Sequence, residues 1–307
     1  MSPNLTSDPA AWLSIHPEVA EALAEGRPVV ALESTVITHG LPRPANLELA
    51  IEMEARVRAH GAVPATVGIL GGEVHLGLAP EQLEHLALHA QARKVSRRDL
   101  AIAASQGLDG GTTVAGTLFV AHAGGVRVFA TGGIGGVHRG DGGDVSADLP
   151  ALAETPLAVV CAGAKAILDL PRTLEWLETA GVPVAGWQTD EFPAFFSRSS
   201  GLPVPLRVDA MADLAALVQA HWRLGLKSAV LVGVPCPASE AIPPETLEAA
   251  LEQAENEAAE AGIRGALLTP FLLSRVAQLT DESSLRANLA LLRQNAEIAS
   301  DLAVSLA

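Results

Sequence analysis

Residues 156–188 read PLAVVCAGAKAILDLPRTLEWLETAGVPVAGWQ. The apolar run PLAVVCAG predicts a buried strand, AKAILDLPRTLEWLETAG predicts a helix interrupted by Pro171, and VPVAGWQ predicts a second strand. The same alternation runs outward in both directions. Upstream, RPVVALEST predicts a strand and PRPANLELAIEMEARVRAHGA a helix with a glycine stop. VPATVGILGGEVHLGL follows as a hairpin about Gly71-Gly72, and then come helices over 80–92 and 97–106, a loop GLDGGTT, a helix from Val114 to His122 and a strand in GVRVFATGG. Downstream, an irregular TDEFPAFFSRSSG precedes a helix over 209–225, a strand in SAVLVGVP and helices over 243–262, 270–279 and 283–306. Strands alternating with helices define the α/β class, here three α/β/α layers about a central mixed or mostly parallel sheet. No repeat or long linker interrupts the pattern, so residues 1–307 are expected to form one domain.

Composition limits the function. With 49% hydrophobic residues, 28 glycines and 20 prolines the chain suits a compact enzyme with many tight turns, and a net charge of −15 argues against nucleic acid or an anionic membrane as partner. An anionic substrate must then be held by a few local groups. The two cysteines, Cys161 and Cys236, lie in or just after apolar runs without metal-ligand spacing, and no leader or membrane span is evident. A cytoplasmic location is expected.

Lysine is rare: of 20 Lys and Arg residues only Lys94, Lys165 and Lys227 are lysine. Lys165 stands just after the strand PLAVVCAG. A desolvated lysine can lose its proton and form an imine with a carbonyl carbon, which arginine cannot. A strand cap or a snorkelling surface lysine fits the same residues. Glu33-Ser34-Thr35, Thr131 and Lys165 fall at corresponding ends of three strands, where ligands gather in such folds. Glu33, buried there, would have a pKa suited to a general acid, unless an arginine pairs with it.

Three further stretches carry chemistry. GGTTVAGT places amides from Thr113 onward at a helix start, fit for a phosphate or for ordinary capping by Thr112 or Thr113. Lys94 could add a point charge to that phosphate, or belong with Arg93, Arg97 and Arg98 to a solvated face. In TGGIGGVHRGDGGDVSAD a dinucleotide fingerprint fails at His138. Asp141, Asp144 and Asp148 on a mobile glycine loop suit Mg²⁺ or Mn²⁺, and equally a series of Asx turns. TDEFPAFF suits a lid or a subunit contact. His39, His60, His75, His122 and His138 show no H-x-x-x-H pairing, so zinc is not expected.

Taken together, ALESTVITHGLPRPANLE, KVSRRDL, TTVAGT, ATGGIGGVHRG, DVSADL, GAKAILDLPRTLE, TDEFPAF and TPFLL closely resemble the pseudouridine-5′-phosphate glycosidases, a family that also includes proteins named for indigoidine pigment synthesis. The resemblance runs from about Pro28 onward. It implies reversible cleavage of the C–C glycosidic bond of pseudouridine 5′-phosphate to uracil and ribose 5-phosphate, with one divalent metal, usually Mn²⁺. It further implies Lys165 as nucleophile, Glu33 as proton donor, Asp144 as metal ligand, and Lys94, Val114, Ser146, Ala147 and Asp148 as substrate contacts. A homotrimer is implied, and a pseudouridine kinase would be a separate protein. Two positions depart from the pattern: Val234 where many relatives carry Asn, and Ala266 where they carry Lys. A Schiff-base aldolase or lyase for another sugar phosphate, or a non-catalytic sugar-phosphate sensor, would share the same lysine, acid and phosphate cradle.

Overall fold

The computed structural model describes residues 11–140, 143–263 and 268–307. The first part of the chain forms β1 (Leu13–Ile15), α1 (Pro17–Ala24), β2 (Val29–Leu32), a π-helical turn at Val36–Gly40, α2 (Ala45–Ala59), and the hairpin β3 (Val63–Leu70) and β4 (Glu73–Leu76). Next come α3 (Pro80–Leu88), β5 (Arg93–Val95), α4 (Leu100–Gln106), β6 (Gly110–Thr112), α5 (Val114–Ala123), β7 (Val128–Ala130), β8 (Val137–His138) and α6 (Asp148–Glu154). The remainder is β9 (Ala158–Cys161), β10 (Leu168–Asp169), α7 (Leu170–Thr179), β11 (Val184–Trp187), β12 (Leu206–Val208), α8 (Met211–Arg223), β13 (Val230–Gly233), α9 (Pro244–Glu260), α10 (Leu268–Leu279) and α11 (Ser283–Leu306).

One sheet runs in the order β1-β4-β3-β2-β7-β9-β13-β11-β12, with β6 joined to β3 and β5 joined to β6. Every pairing from β3 through β2, β7, β9, β13 and β11 to β12 is parallel; β3–β4 and β3–β6 are antiparallel. The expected mixed, mostly parallel sheet is therefore present, with helices flanking it. Its central strands VVAL, VFA, AVVC and VLVG are buried along their whole length, as strands covered on both faces must be. α11 packs on β2, β7 and β9, while α5 packs on β2, β3 and β4.

α11 is also tied to α2. Arg56 pairs with Glu297, Arg293 with Glu52 at 2.7 Å, and His60 with Asp301 at 2.8 Å. Each pair spans 241 residues, so the two helices run parallel in one register. Such partly exposed pairs are worth ~0–1 kcal/mol each and serve mainly to set that register. Among the described residues no helix is long and apolar enough to cross a membrane.

Several predicted elements are corrected. Pro171 does not interrupt a helix that starts at 164; it lies in the first turn of α7, where a missing N–H costs nothing, and the Asp169 side chain caps that turn by accepting from Arg172 N at 3.0 Å. Residues 164–169 form a loop and β10, which pairs with β8. GLDGGTT is not only a loop, because Gly110–Thr112 is β6. A side chain at Gly111 would meet the Ser34 carbonyl oxygen at 2.8 Å, so this strand needs glycine despite the low strand propensity of that residue. The three phenylalanines of TDEFPAFF are buried, leaving none for a subunit contact.

Candidate active site

β2, β7 and β9 are neighbours, all parallel, so their carboxyl ends open into one crevice. Glu33 follows β2 directly, Thr131 follows β7, and Lys165 lies four residues beyond β9. The pairing continues past the strands proper: Thr131 N donates to Val160 O at 3.0 Å, Ala162 N to Gly132 O at 2.9 Å, Ile134 N to Gly163 O at 3.0 Å and Lys165 N to Ile134 O at 3.0 Å. That zipper holds Lys165 beside the site. Gly163, at φ +83°, turns the chain within it, and Phe195 N donates to Ala162 O at 3.0 Å from behind.

Glu33 is 9% exposed and accepts a hydrogen bond from Thr131 Oγ1. Burial drives its pKa above the ordinary value near 4.5, against the opposing pull of Lys165, the Thr131 bond and Lys94, with Asp148 acting in the same sense as burial. No arginine pairs with it among the described residues, so the alternative of an arginine-paired glutamate is set aside. A protonated carboxyl in this position is equipped as a general acid.

The basic cluster divides in two. Arg93 bonds Asp99 at 3.0 Å and Arg97 bonds Glu154 at 2.5 Å, whereas Lys94, on the opposite side of β5, faces the crevice. Although exposed in the single chain, Lys94 has its pKa lowered by desolvation and by Lys165, with Asp148 and Glu33 acting against these. Lys94, Lys165, Glu33 and Asp148 thus form one electrostatic group.

The helix start at α5 is largely occupied. Thr113 N donates to Val95 O, Ala115 N to Asp148 Oδ1 at 2.9 Å and Gly116 N to Thr113 Oγ1, so Thr113 is the cap. Of the first amides only that of Val114 remains for an anion, which narrows the expectation of a cradle from Thr113 onward. Asp148 is buried, and its other oxygen accepts from Gly135 N at 2.8 Å. Ser146 Oγ accepts from Asp148 N at 3.2 Å; Ala147, exposed, is the residue before α6.

The glycine stretch is not a mobile loop at its start. Gly132 and Gly133 are buried, with a side chain at Gly133 meeting the Phe195 ring at 2.6 Å and one at Gly135 meeting Asp148 Oδ2 at 2.8 Å. Close packing is what these glycines provide. Asp148 is accordingly fixed by two backbone amides, one on each oxygen. Asp144 is exposed and its carboxylate approaches only His138 Nε2, at 3.9 Å, among the described residues. A single accessible carboxylate with room for waters fits a hard ion such as Mn²⁺. Asp141 and Ala266 lie outside the described residues. Val234 is buried, with its N–H donated to Cys161 O at 2.8 Å. Cys161 is no nucleophile, because burial pushes its thiol up to about 12.

Two residues at the site escaped sequence reasoning. His39, whose pKa is lowered by burial and by Lys94, lines a cleft of about 380 Å³ with Leu41, Phe196 and Asn288. Asn295 of α11 donates to Thr131 O at 2.8 Å, bracing the end of β7. The histidine was visible only as one of nine, and nothing local marks Asn295. Two surface depressions, of about 790 and 620 Å³, contain neither Glu33 nor Lys165.

A buried acid, a strand-end lysine and a second lysine beside one free helix amide define an α/β enzyme of small anionic substrates. The family model described as indigoidine synthase A like protein matches residues 18–305, and the chain belongs to that family. A protein of Methylobacterium nodulans named pseudouridine-5′-phosphate glycosidase is 54% identical over 300 residues, covering 97% of this chain and 89% of its own. One of the same name from Herpetosiphon aurantiacus is 54% identical, covering 96% and 98%. The crystal structure of the prealnumycin C-glycosynthase AlnA in complex with ribulose 5-phosphate superposes with a TM-score of 0.89 at 40% identity, covering 96% of each chain.

Proposed function

We propose that this chain is a pseudouridine-5′-phosphate glycosidase that works through a Lys165 imine. The observation that carries the mechanism is the buried Glu33, with its raised pKa, at the end of β2, facing Lys165 beyond β9 across the end of β7. The bond to the base is C–C, so no leaving heteroatom is available for the two-carboxylate chemistry of ordinary glycosidases. An amine solves this by opening the sugar. Neutral Lys165 Nζ forms a bond to C1′ while the C1′–O4′ bond breaks, and Glu33 delivers its proton to O4′. One Nζ proton passes to the Glu33 carboxylate, and the freed nitrogen lone pair makes the C1′=N bond as the bond from C1′ to the base carbon breaks; that carbon takes the proton back from Glu33 to leave uracil. Water adds at C1′, and ribose 5-phosphate departs from the regenerated amine.

Lys94 and the Val114 amide would hold the phosphate, with Ser146, Ala147 and Asp148 bordering it. Thr131 orients the Glu33 carboxyl. Asp144 would hold Mn²⁺, whose contribution when bound is to concentrate positive charge near the substrate. That a relative is described with ribulose 5-phosphate supports an open-chain pentose phosphate as the ligand class. The continuous sheet supports one domain over 1–307. A homotrimer in the cytoplasm, supplied by a separate pseudouridine kinase, completes the proposal.

The test is incubation with pseudouridine 5′-phosphate, with and without Mn²⁺, following the uracil spectrum. Uracil and ribose 5-phosphate in equal amounts are expected. Release of a small aldehyde from another sugar phosphate would instead indicate a lyase, and binding of ribose 5-phosphate without turnover would indicate a sensor.

A further inference from the structure

Away from the strand ends, α3 carries His85 and, at its C-terminal cap, His89. The spacing is H-x-x-x-H, missed above, and it sets both rings on one face of the helix, 5.5 Å apart. Asp109, in the loop before β6, meets them there: its Oδ2 lies 2.7 Å from His85 Nε2 and 3.9 Å from His89 Nδ1. The three ligand atoms all fall within 4.8 Å of one another. Asp109 is held from two other sides, because Gly71 N donates to its Oδ1 at 2.6 Å and Arg93 N donates to its carbonyl at 2.8 Å. Glu81, one turn before His85, and Glu84 line the same open depression, which no lysine or arginine lines. The C-terminal end of a helix also presents the negative end of its dipole.

We propose that His85, His89 and Asp109 bind Zn²⁺ at a site separate from the strand-end crevice. Two imidazoles and a carboxylate are the donor set of a borderline ion, whereas Mn²⁺ and Mg²⁺ favour oxygen. The ion replaces the direct contact between His85 Nε2 and Asp109 Oδ2, and a water or Glu81 completes four-coordination. Bound there, it ties α3 to the β3–β4 turn and to the start of β6, behind the strand that presents Lys94.

The experiment uses the full, untagged chain, stripped of metal and kept in excess Mn²⁺ so that hard-ion sites are filled. Titration calorimetry with Zn²⁺ should show one equivalent bound with micromolar affinity. The melting temperature should rise by about 4 °C at a hundredfold excess over Kd. In the double variant His85→Ala/His89→Ala the affinity should fall by ~100-fold and the melting shift should vanish, while uracil release without Zn²⁺ stays unchanged. Both side chains are substantially exposed, at 54% and 36%, so the variant should fold; an unchanged circular-dichroism melt without Zn²⁺ checks this. Absence of Zn²⁺ binding to the wild type, or equal binding by the variant, overturns the proposal.

Discussion

At the scale of single residues, the proposed chemistry is tested at Lys165 and Glu33. Lys165→Arg keeps the charge and much of the length but cannot form an imine, so kcat should fall by three or more orders of magnitude with little change in KM. Borohydride added with ribose 5-phosphate should attach one sugar-phosphate mass to the wild-type chain, on the peptide containing Lys165; an adduct on Lys94 or Lys227 would transfer the role. Glu33 has a measurable signature even in the absence of substrate. Its folded-state pKa is raised, so the folded protein holds a proton that the unfolded chain gives up. The stability this supplies is complete below the ordinary value near 4.5 and is lost as pH rises through the raised value. Glu33→Gln, neutral at every pH, should therefore melt increasingly above the wild type as pH rises, while losing turnover. A constant difference in melting temperature between pH 4 and 8 would count against a buried, protonated Glu33.

At the scale of elements, the site depends on how loops leave the strands. Gly163→Ala puts a side chain at φ +83° and against the Pro193 backbone, so it should cost ~1–2 kcal/mol or more and lower kcat by displacing Lys165. Asp148→Asn replaces an acceptor with an amide group whose NH₂ faces a backbone N–H, either of Ala115 or of Gly135, and should cost ~1–3 kcal/mol. Chemical denaturation measures both. The central strands were legible because runs such as VVAL and AVVC are apolar at every position, and Glu33, Thr131 and Lys165 were legible because they follow such runs. β6 was not, since its glycines serve close approach to Ser34 rather than strand propensity. The start of α7 was misplaced because Pro171 is a breaker inside a helix but welcome in its first turn. Lys94 was ambiguous beside three arginines until β5 set alternate side chains on opposite faces. Asp148 appeared as a candidate ligand on a loop, but its two amide partners come from segments 13 and 33 residues away and leave no trace in local sequence.

At the scale of the whole molecule, a chain of net charge −15 repels the anion it must bind. In the proposed mechanism the phosphate falls to Lys94 and one amide, and its binding energy would position the sugar for attack. Free pseudouridine should be a poor substrate, with kcat/KM at least ~100-fold below that of the 5′-phosphate. Equal values would remove Lys94 and Val114 from phosphate binding. Rising ionic strength should lower KM for the phosphorylated substrate modestly by screening the long-range repulsion, with little effect on kcat.

The packing of α11 over the crevice strands also bears on how the protein is made. Asn295 braces Thr131 across a separation of 164 positions, and Leu292 lies against Gly132. At ~5–20 residues per second, a ribosome reaches Asn295 roughly 8–33 s after Thr131. Within that interval β2 and β7, and then β9, exist in the nascent chain without the helix that seals them. Their apolar faces then invite chaperone binding or aggregation, and the crevice is sealed only once α11 has been made.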